Sequence, residues 1–202
     1  SYDKDNNKQI AQELYKGILC TAKTTATTGK VPSGNYAYGD EYTCELGDND
    51  AKTFFVLETN GDNVSLIMDR NIDSNGKGTT SGNTVAWCKS GSDNSCAADG
   101  ALEYLKTSTT GWTKLTESQI SLPSYDQIYK AAGNKTSGLS TWLYGNLHVN
   151  NSAPHGYWTS TPRASYSNYA WYVYYGGSLN FRSVDYDDYG VRPVITVSKS
   201  QM

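Results

Sequence analysis

The chain has 202 residues, of which 37% are hydrophobic and 18% charged, and its net charge is −3. That length suits one domain, or one domain with a small appendage, and the near-neutral charge offers no basic field to draw in nucleic acid. No apolar run approaches the roughly 18 residues of a membrane-spanning helix, so a soluble, loop-rich chain without a membrane span is expected.

In chain order, residues 7–19 place Ile10, Leu14 and Ile18 with Tyr15 and Leu19 at helical spacing, which predicts a helix there. Pro32–Gly39 is a turn-rich link, so residues 1–35 read as an N-terminal helix and link ahead of a main domain over 36–202. Thr53–Thr59 and Asn63–Asp69 read as the arms of a β-hairpin with Asn60-Gly61 in its turn. Residues 71–86 are mostly Gly, Ser, Thr and Asn and predict a long loop. Asp99–Lys106 predicts a short helix. A second follows, with Ser124 as N-cap, Asp126 and Gln127 in the first turn and Gly133 as its stop. Beyond Trp142, short strands and loops run to the end.

Four cysteines, Cys20, Cys44, Cys88 and Cys96, occur without a C-x-x-C pair. An even count of this kind reads as two disulfides rather than a zinc site. Cys88 and Cys96 flank the polar tract Lys89–Ser95, which leaves Cys20 for Cys44. Closing these rings contributes about 2.6 and about 3.5 kcal/mol in the chain-entropy picture. Disulfides imply an oxidising compartment, hence secretion or the cell surface.

Catalytic constellations are missing. The two histidines, His148 and His155, cannot complete a three-histidine zinc site, and G-x-S-x-G, P-loop and G-x-G-x-x-G motifs are absent. Asp185, Asp187 and Asp188 read as solvated loop charges. Asn71, Asp73, Asn75 and Gly76 match the first half of a calcium loop, but its twelfth position is Gly82 where a bidentate Glu is required. No cofactor is therefore expected, and a polar loop is the simpler account. N-x-S/T sites stand at Asn63, Asn134 and Asn150.

The segment AWYVYYGGSLNFRSVDYDDYGVRPVI, residues 170–195, has a different character. Eight of the 17 tyrosines fall between Tyr157 and Tyr189, more phenols than a core accommodates, since each buried hydroxyl needs a partner. Strand parity puts Trp171 and Val173 on one face and Tyr172 and Tyr174 on the other. Gly176-Gly177 makes a turn, after which Leu179 and Phe181 alternate with Asn180 and Arg182. Val184 breaks the phase, as at a bulge or strand end. GVRPVITV reads as a buried strand with Pro193 at an irregular or edge position.

Two sets of motifs carry a family resemblance over about residues 84–198. Leu122-Pro123-Ser124, with Gln127, Ala131 and Ala132 at fixed offsets, resembles the helix motif of the formylglycine-generating-enzyme branch of the C-type lectin fold. Gly156-Tyr157-Trp158-Thr159-Ser160-Thr161, then Ala170-Trp171-x-Val173, Gly177 and Gly190-Val191-Arg192-Pro193-Val194 resemble the C-terminal half of that fold, most closely in the variable proteins of diversity-generating retroelements. The resemblance implies an α+β, C-type lectin-like domain of short helices around small irregular antiparallel sheets. It also implies a ligand-binding region, at about 157–195, rewritten by adenine mutagenesis from a retroelement template.

Arg163, Ser165, Tyr166, Tyr169, Tyr172, Tyr174, Tyr175, Asn180, Phe181, Arg182, Ser183, Asp185, Tyr186, Asp187 and Asp188 would form the ligand surface. Their composition is that of a paratope, with rigid Tyr for area and Ser and Asn for adaptable hydrogen bonds. Trp158, Trp171, Val173, Leu179, Val191 and Ile195 would carry the packing. The expected partner is a protein or glycan on another cell or particle. The alternative is a structural or pilus-associated surface subunit in which the helix over 7–19 is the stub of an assembly helix. An enzyme of the formylglycine-generating type needs a redox-active cysteine pair in the C-terminal half. None follows Cys96, so a non-enzyme is expected, and the Glu-Pro-Asn and Trp-Asn-Asp calcium sets of sugar-binding lectins are absent as well.

Overall fold

The computed structural model describes residues 2–3, 8–9, 14–148 and 152–202. Two short strands, β1 (Tyr2–Asp3) and β2 (Lys8–Gln9), pair antiparallel. Then follow β3 (Cys20–Ala22), β4 (Glu41–Cys44), β5 (Lys52–Asn60), β6 (Asn63–Met68), β7 (Asn71–Ile72) and β8 (Gly78–Thr79). The helix α1 (Asp99–Ser108) precedes β9 (Ile120–Ser121), α2 (Tyr125–Ala131) and α3 (Thr141–Tyr144). The chain closes with β10 (Gly156–Pro162), β11 (Tyr169–Tyr174), β12 (Ser178–Ser183) and β13 (Val194–Ser198). Few short helices around antiparallel sheets make this an α+β protein.

The main sheet has six strands in the order β3-β4-β5-β6-β13-β9, and β10-β11-β12 form a second sheet. The central strands of the main sheet are buried on both faces. Phe54, Val56, Leu66 and Ile195 enter one apolar cluster, while Phe55, Leu57, Ile67 and Val194 enter a second. This explains why TFFVL, SLIM and VITV read as continuous apolar runs rather than alternating ones. Pro193 ends the irregular approach to β13, whose own residues pair with β6 on one side and β9 on the other, so the strand is internal.

The hairpin over 52–68 forms with its turn one residue later than expected. Asn60 pairs with Asn63, and Gly61-Asp62 is the loop, with Gly61 at φ +60°. Gly at the first central position is the demand of a type II′ connection. The helix over 125–131 has the expected cap. Ser124 Oγ accepts from the Gln127 amide, and the Gln127 side chain accepts from the Ser124 amide. Within the long segment 71–86, a two-residue hairpin (β7–β8) replaces part of the expected loop.

The N-terminal helix does not form in its described part. Residues 14–19 carry no helix, and Leu14 and Ile18 are exposed, while residues 10–13 lie outside the described residues. Leu19 is buried instead, bonded through its amide to Gln201 O and through its carbonyl to the Glu45 amide. Cys20 then pairs with Cys44 in the sheet and by disulfide. Tertiary pairing overrides the helical spacing, and the expected boundary at residue 35 is crossed by sheet from Cys20 onward. The second disulfide, Cys88–Cys96, also forms.

Two charged groups are wholly enclosed. Glu41 Oε1 accepts from the Thr27 amide, the Thr27 hydroxyl and the Gly29 amide, each at 2.8 Å, and Lys23 Nζ lies 3.5 Å from Oε2. Burial alone raises this carboxyl, but the Gly29 and Thr27 donors and the Lys23 charge outweigh it and hold its pKa below the usual value. Arg192 is fully buried and donates from Nη1 to Leu143 O and from Nη2 to Trp142 O, each at 2.7 Å, and from Nε to Met68 O at 2.5 Å. Its guanidinium lies 5.0 Å from the Tyr157 ring, whose hydroxyl also donates to Leu143 O. Burial pulls the Arg192 pKa down and pushes the Tyr157 phenol up to about 12.

Two tests follow from these groups. Arg192→Ala removes the donor from three buried carbonyls and is expected to cost about 3–5 kcal/mol in urea unfolding. Arg192→Lys recovers only part of this, since one ammonium cannot reproduce a planar fork. For Glu41 the folded pKa lies below the unfolded one, so its contribution is present above the unfolded value of about 4.3 and is lost as pH falls through the folded value. Glu41→Gln should therefore destabilise at pH 7 by about 2 kcal/mol, and the difference from the parent should shrink in unfolding curves taken below pH 4.

Candidate ligand-binding surface

The β11–β12 hairpin sets the geometry. Tyr169↔Ser183, Trp171↔Phe181 and Val173↔Leu179 pair on one face, and Ala170↔Arg182, Tyr172↔Asn180 and Tyr174↔Ser178 on the other. A three-residue connection, Tyr175-Gly176-Gly177, joins them, with Gly177 at φ +87° and its amide on Tyr174 O. A Cβ at Gly177 would lie 2.9 Å from the Tyr144 ring, so the turn needs glycine for both conformation and space.

The root of the hairpin is fixed from both sides. Val173 and Leu179 join Tyr157 in one cluster, and Ala170 and Tyr172 join Trp158 in the other. Tyr172 is therefore a core residue, not a surface one. It is 6% exposed, stacks on Tyr189 at 4.0 Å and meets the edge of Trp158 at 6.2 Å. Burial, with the neighbouring Tyr172 phenol, raises the Tyr189 pKa. Trp171 is correspondingly only half-buried. The expected division between scaffold and surface changes at this pair because Tyr172 packs into the cluster of Trp158 and Tyr189, while Trp171 lies outside both clusters, against Tyr125 and Phe181.

Toward the open end of the first face, side chains stack on one another. The Arg163 guanidinium sits 3.5 Å from the Phe181 ring centre and 3.8 Å from that of Tyr166. Tyr169 lies 5.4 Å from Phe181, and Trp171 meets Phe181 edge-on at 5.6 Å. Trp171 also contacts Tyr125, which stacks on Tyr129. The result is a continuous stripe from Tyr129 to Tyr166, with Tyr166 48% and Phe181 39% exposed. Tyr125 and Tyr129 were not among the expected residues, though their i,i+4 spacing on a capped helix is a legible signal. Ser165 is exposed beside this stripe, in the left-handed region at φ +67°.

The remaining expected residues lie elsewhere. On the second face Asn180 is exposed, and Arg182 lies 4.5 Å over the Tyr186 ring, where the phenol hydrogen bond raises the guanidinium pKa. Asp185 and Asp187 border a groove of about 470 Å³ shared with Lys89, Glu103 and Tyr104. Tyr174 and Tyr175 contact each other beside the hairpin turn, and His148 and His155 flank Tyr175 at 4.0 and 6.0 Å. Asp188 Oδ2 is 3.8 Å from His155 Nδ1, and Ser183 is half-buried at the end of β12. The 15 expected positions are thus spread over two faces and one end, with Tyr172 inside.

The calcium half-motif does not assemble either. Asn71 is buried, with Nδ2 on Gly156 O, while Asp73 Oδ1 accepts from the Asn75 and Lys77 amides of its own turn. Among the described residues, the one grouping of His, Cys, Asp and Glu atoms close enough for an ion is Cys88, Cys96 and Asp99, and both sulfurs are in the disulfide. No helix among the described residues is long and apolar enough to cross a membrane.

Comparison with protein families, with curated proteins and with solved structures finds no match to this chain.

The difference between Tyr172 and Trp171 is directly measurable. Tyr172→Ala is expected to cost about 3 kcal/mol or more of stability. Trp171→Ala should cost less, about 1–2 kcal/mol, through lost ring contacts. Chemical unfolding of both variants checks the order.

Proposed function

We propose that this chain is a non-enzymatic ligand-binding protein of the C-type lectin type, similar to the variable proteins of diversity-generating retroelements. It would act outside the cytoplasm, secreted or at the cell surface, on a protein or glycan carried by another cell or particle. The observation that carries this reading is the convergence of Arg163, Tyr166, Tyr169 and Phe181, four of the expected positions, into one stack with Tyr166 and Phe181 exposed, where the loop 163–168 meets a hairpin with buried roots. Large rigid aromatic side chains with an Arg among them are the anchors that dominate binding interfaces. A rigid base limits the ordering cost on binding. The two disulfides support an oxidising location, and the bonding of all four cysteines supports a role other than thiol chemistry.

Sequencing codons 157–195 across a population of the source organism, together with the flanking locus, tests this reading. Substitutions should fall at Arg163, Ser165, Tyr166, Tyr169, Asn180, Phe181, Arg182 and Tyr186, at template adenines, beside a near-copy repeat and a reverse transcriptase. Val173, Tyr189 and Arg192 should not vary, and Tyr172 should remain aromatic. An invariant region without a repeat would refute diversification and leave a domain with one fixed partner.

A further inference from the structure

The connection between β10 and β11, residues 163–168, carries Arg163, Ser165 and Tyr166, yet nothing within it is apolar core. Its shape comes from main-chain bonds: the Arg163 amide to Tyr169 O at 2.9 Å, Tyr169 to Tyr166 O at 3.2 Å, and Tyr166 to Arg163 O at 3.3 Å. These three bonds form a closed cycle, and its three carbonyls turn toward one side chain from a distant part of the chain. Asn94 Nδ2 donates to Tyr166 O at 2.8 Å and to Tyr169 O at 2.9 Å, with Arg163 O at 3.4 Å. The Asn94 amide donates to Ser167 O as well. Asn94 sits in the ring closed by Cys88–Cys96, next to Asp93, whose carboxylate accepts from the Ser95 amide.

We propose that Asn94 is the positioning residue of the ligand-reading loop 163–168, and that it holds the loop by its main chain alone, so that the loop's side chains can be exchanged without changing its shape. The chemistry supports this directly. Every acceptor for Asn94 is a backbone carbonyl, which is the same whatever residue stands at 163, 166, 167 or 169. A primary amide supplies two N–H donors at one atom, a better match to converging carbonyls than a hydroxyl with one. The disulfide ring supplies the donor from outside the hairpin, so the clamp does not depend on the residues being displayed. The inference rests on the reading of this loop as part of a ligand surface, but its test needs no ligand.

The experiment is amide hydrogen exchange on the full chain, comparing the parent with Asn94→Ala, Asn94→Asp and the triple variant Arg163→Ser, Tyr166→Ser, Tyr169→Ser. Aspartate keeps the shape of Asn94 at neutral pH but has no donor. Asn94→Ala and Asn94→Asp should speed exchange at the Tyr166 and Tyr169 amides at least tenfold. The Trp158 and Leu179 amides, bonded to Gly190 O and Thr136 O, should stay as in the parent. The triple variant should leave loop protection within about threefold.

Retained protection in Asn94→Asp would reduce the residue to a space filler and overturn the proposal. So would equal loss at the Trp158 and Leu179 amides, which marks global destabilisation, or loosening of the loop by the triple variant. A population that shows no variation at the loop would count against the ligand reading alone, because the exchange result is independent of it.

Discussion

The buried Arg192 guanidinium is the constraint on which the rest of this fold turns. Its three carbonyl partners come from the end of β6 and from α3, it lies over a ring of β10, and it stands just ahead of β13. The large sheet, the small sheet and the helix between them therefore meet at one charge. Among the described residues no carboxylate lies within ion-pair distance of it, and Asp69 acts only at longer range. Burying a cation in this way is tolerable only when its donors are used, and the carbonyls are equally dependent on the cation. Such mutual dependence fixes the relative placement of elements far apart in sequence.

That placement is what makes the tyrosine-rich hairpin rigid. β11 and β12 are held by Val173 and Leu179 on one side and by Tyr172 against Trp158 and Tyr189 on the other. Trp158 and Trp87 spend their indole N–H groups on Val85 O and Thr159 O, so the aromatic core around the hairpin is also satisfied in hydrogen bonds. Beyond these rows the side chains are free of packing duties. The Arg163 stack forms at that point, where the hairpin leaves the core.

The charged groups divide by the same logic. Glu41 and Arg192 are enclosed and organise backbone, one over residues 27–29 and the other over residues 68 and 142–143. Arg163 and Arg182 are accessible and lie on aromatic rings, where a guanidinium keeps its donors available. Arginine thus serves the scaffold where its donors meet buried carbonyls and lies accessible where they do not.

Local chemistry was legible in the sequence wherever it decides the outcome. The Ser124 cap, the hairpin around Gly61 to within one residue, the helix after Asp99 and both cysteine pairings follow from residues close together or from simple elimination, while the α+β class came from the family resemblance. Burial was not legible where it depends on what packs over an element. Tyr172 and Trp171 have the same strand propensity, and only what packs against each side chain decides which one is core. Leu14, Tyr15 and Ile18 carry a helical pattern, but the Cys20–Cys44 pairing and the Leu19–Gln201 bond draw the following residues into sheet. The Asn94 clamp lay out of reach for the same reason. Its acceptors are backbone carbonyls about seventy residues away, and carbonyls carry no sequence signature. The sequence by itself determined the hairpin to within one residue of its turn, the helix cap, the disulfides and the tyrosine-rich character of the C-terminal segment, because these rest on local conformation and composition. The tertiary structure alone decided which of those side chains are exposed, because exposure is set by contacts between segments that no local pattern encodes.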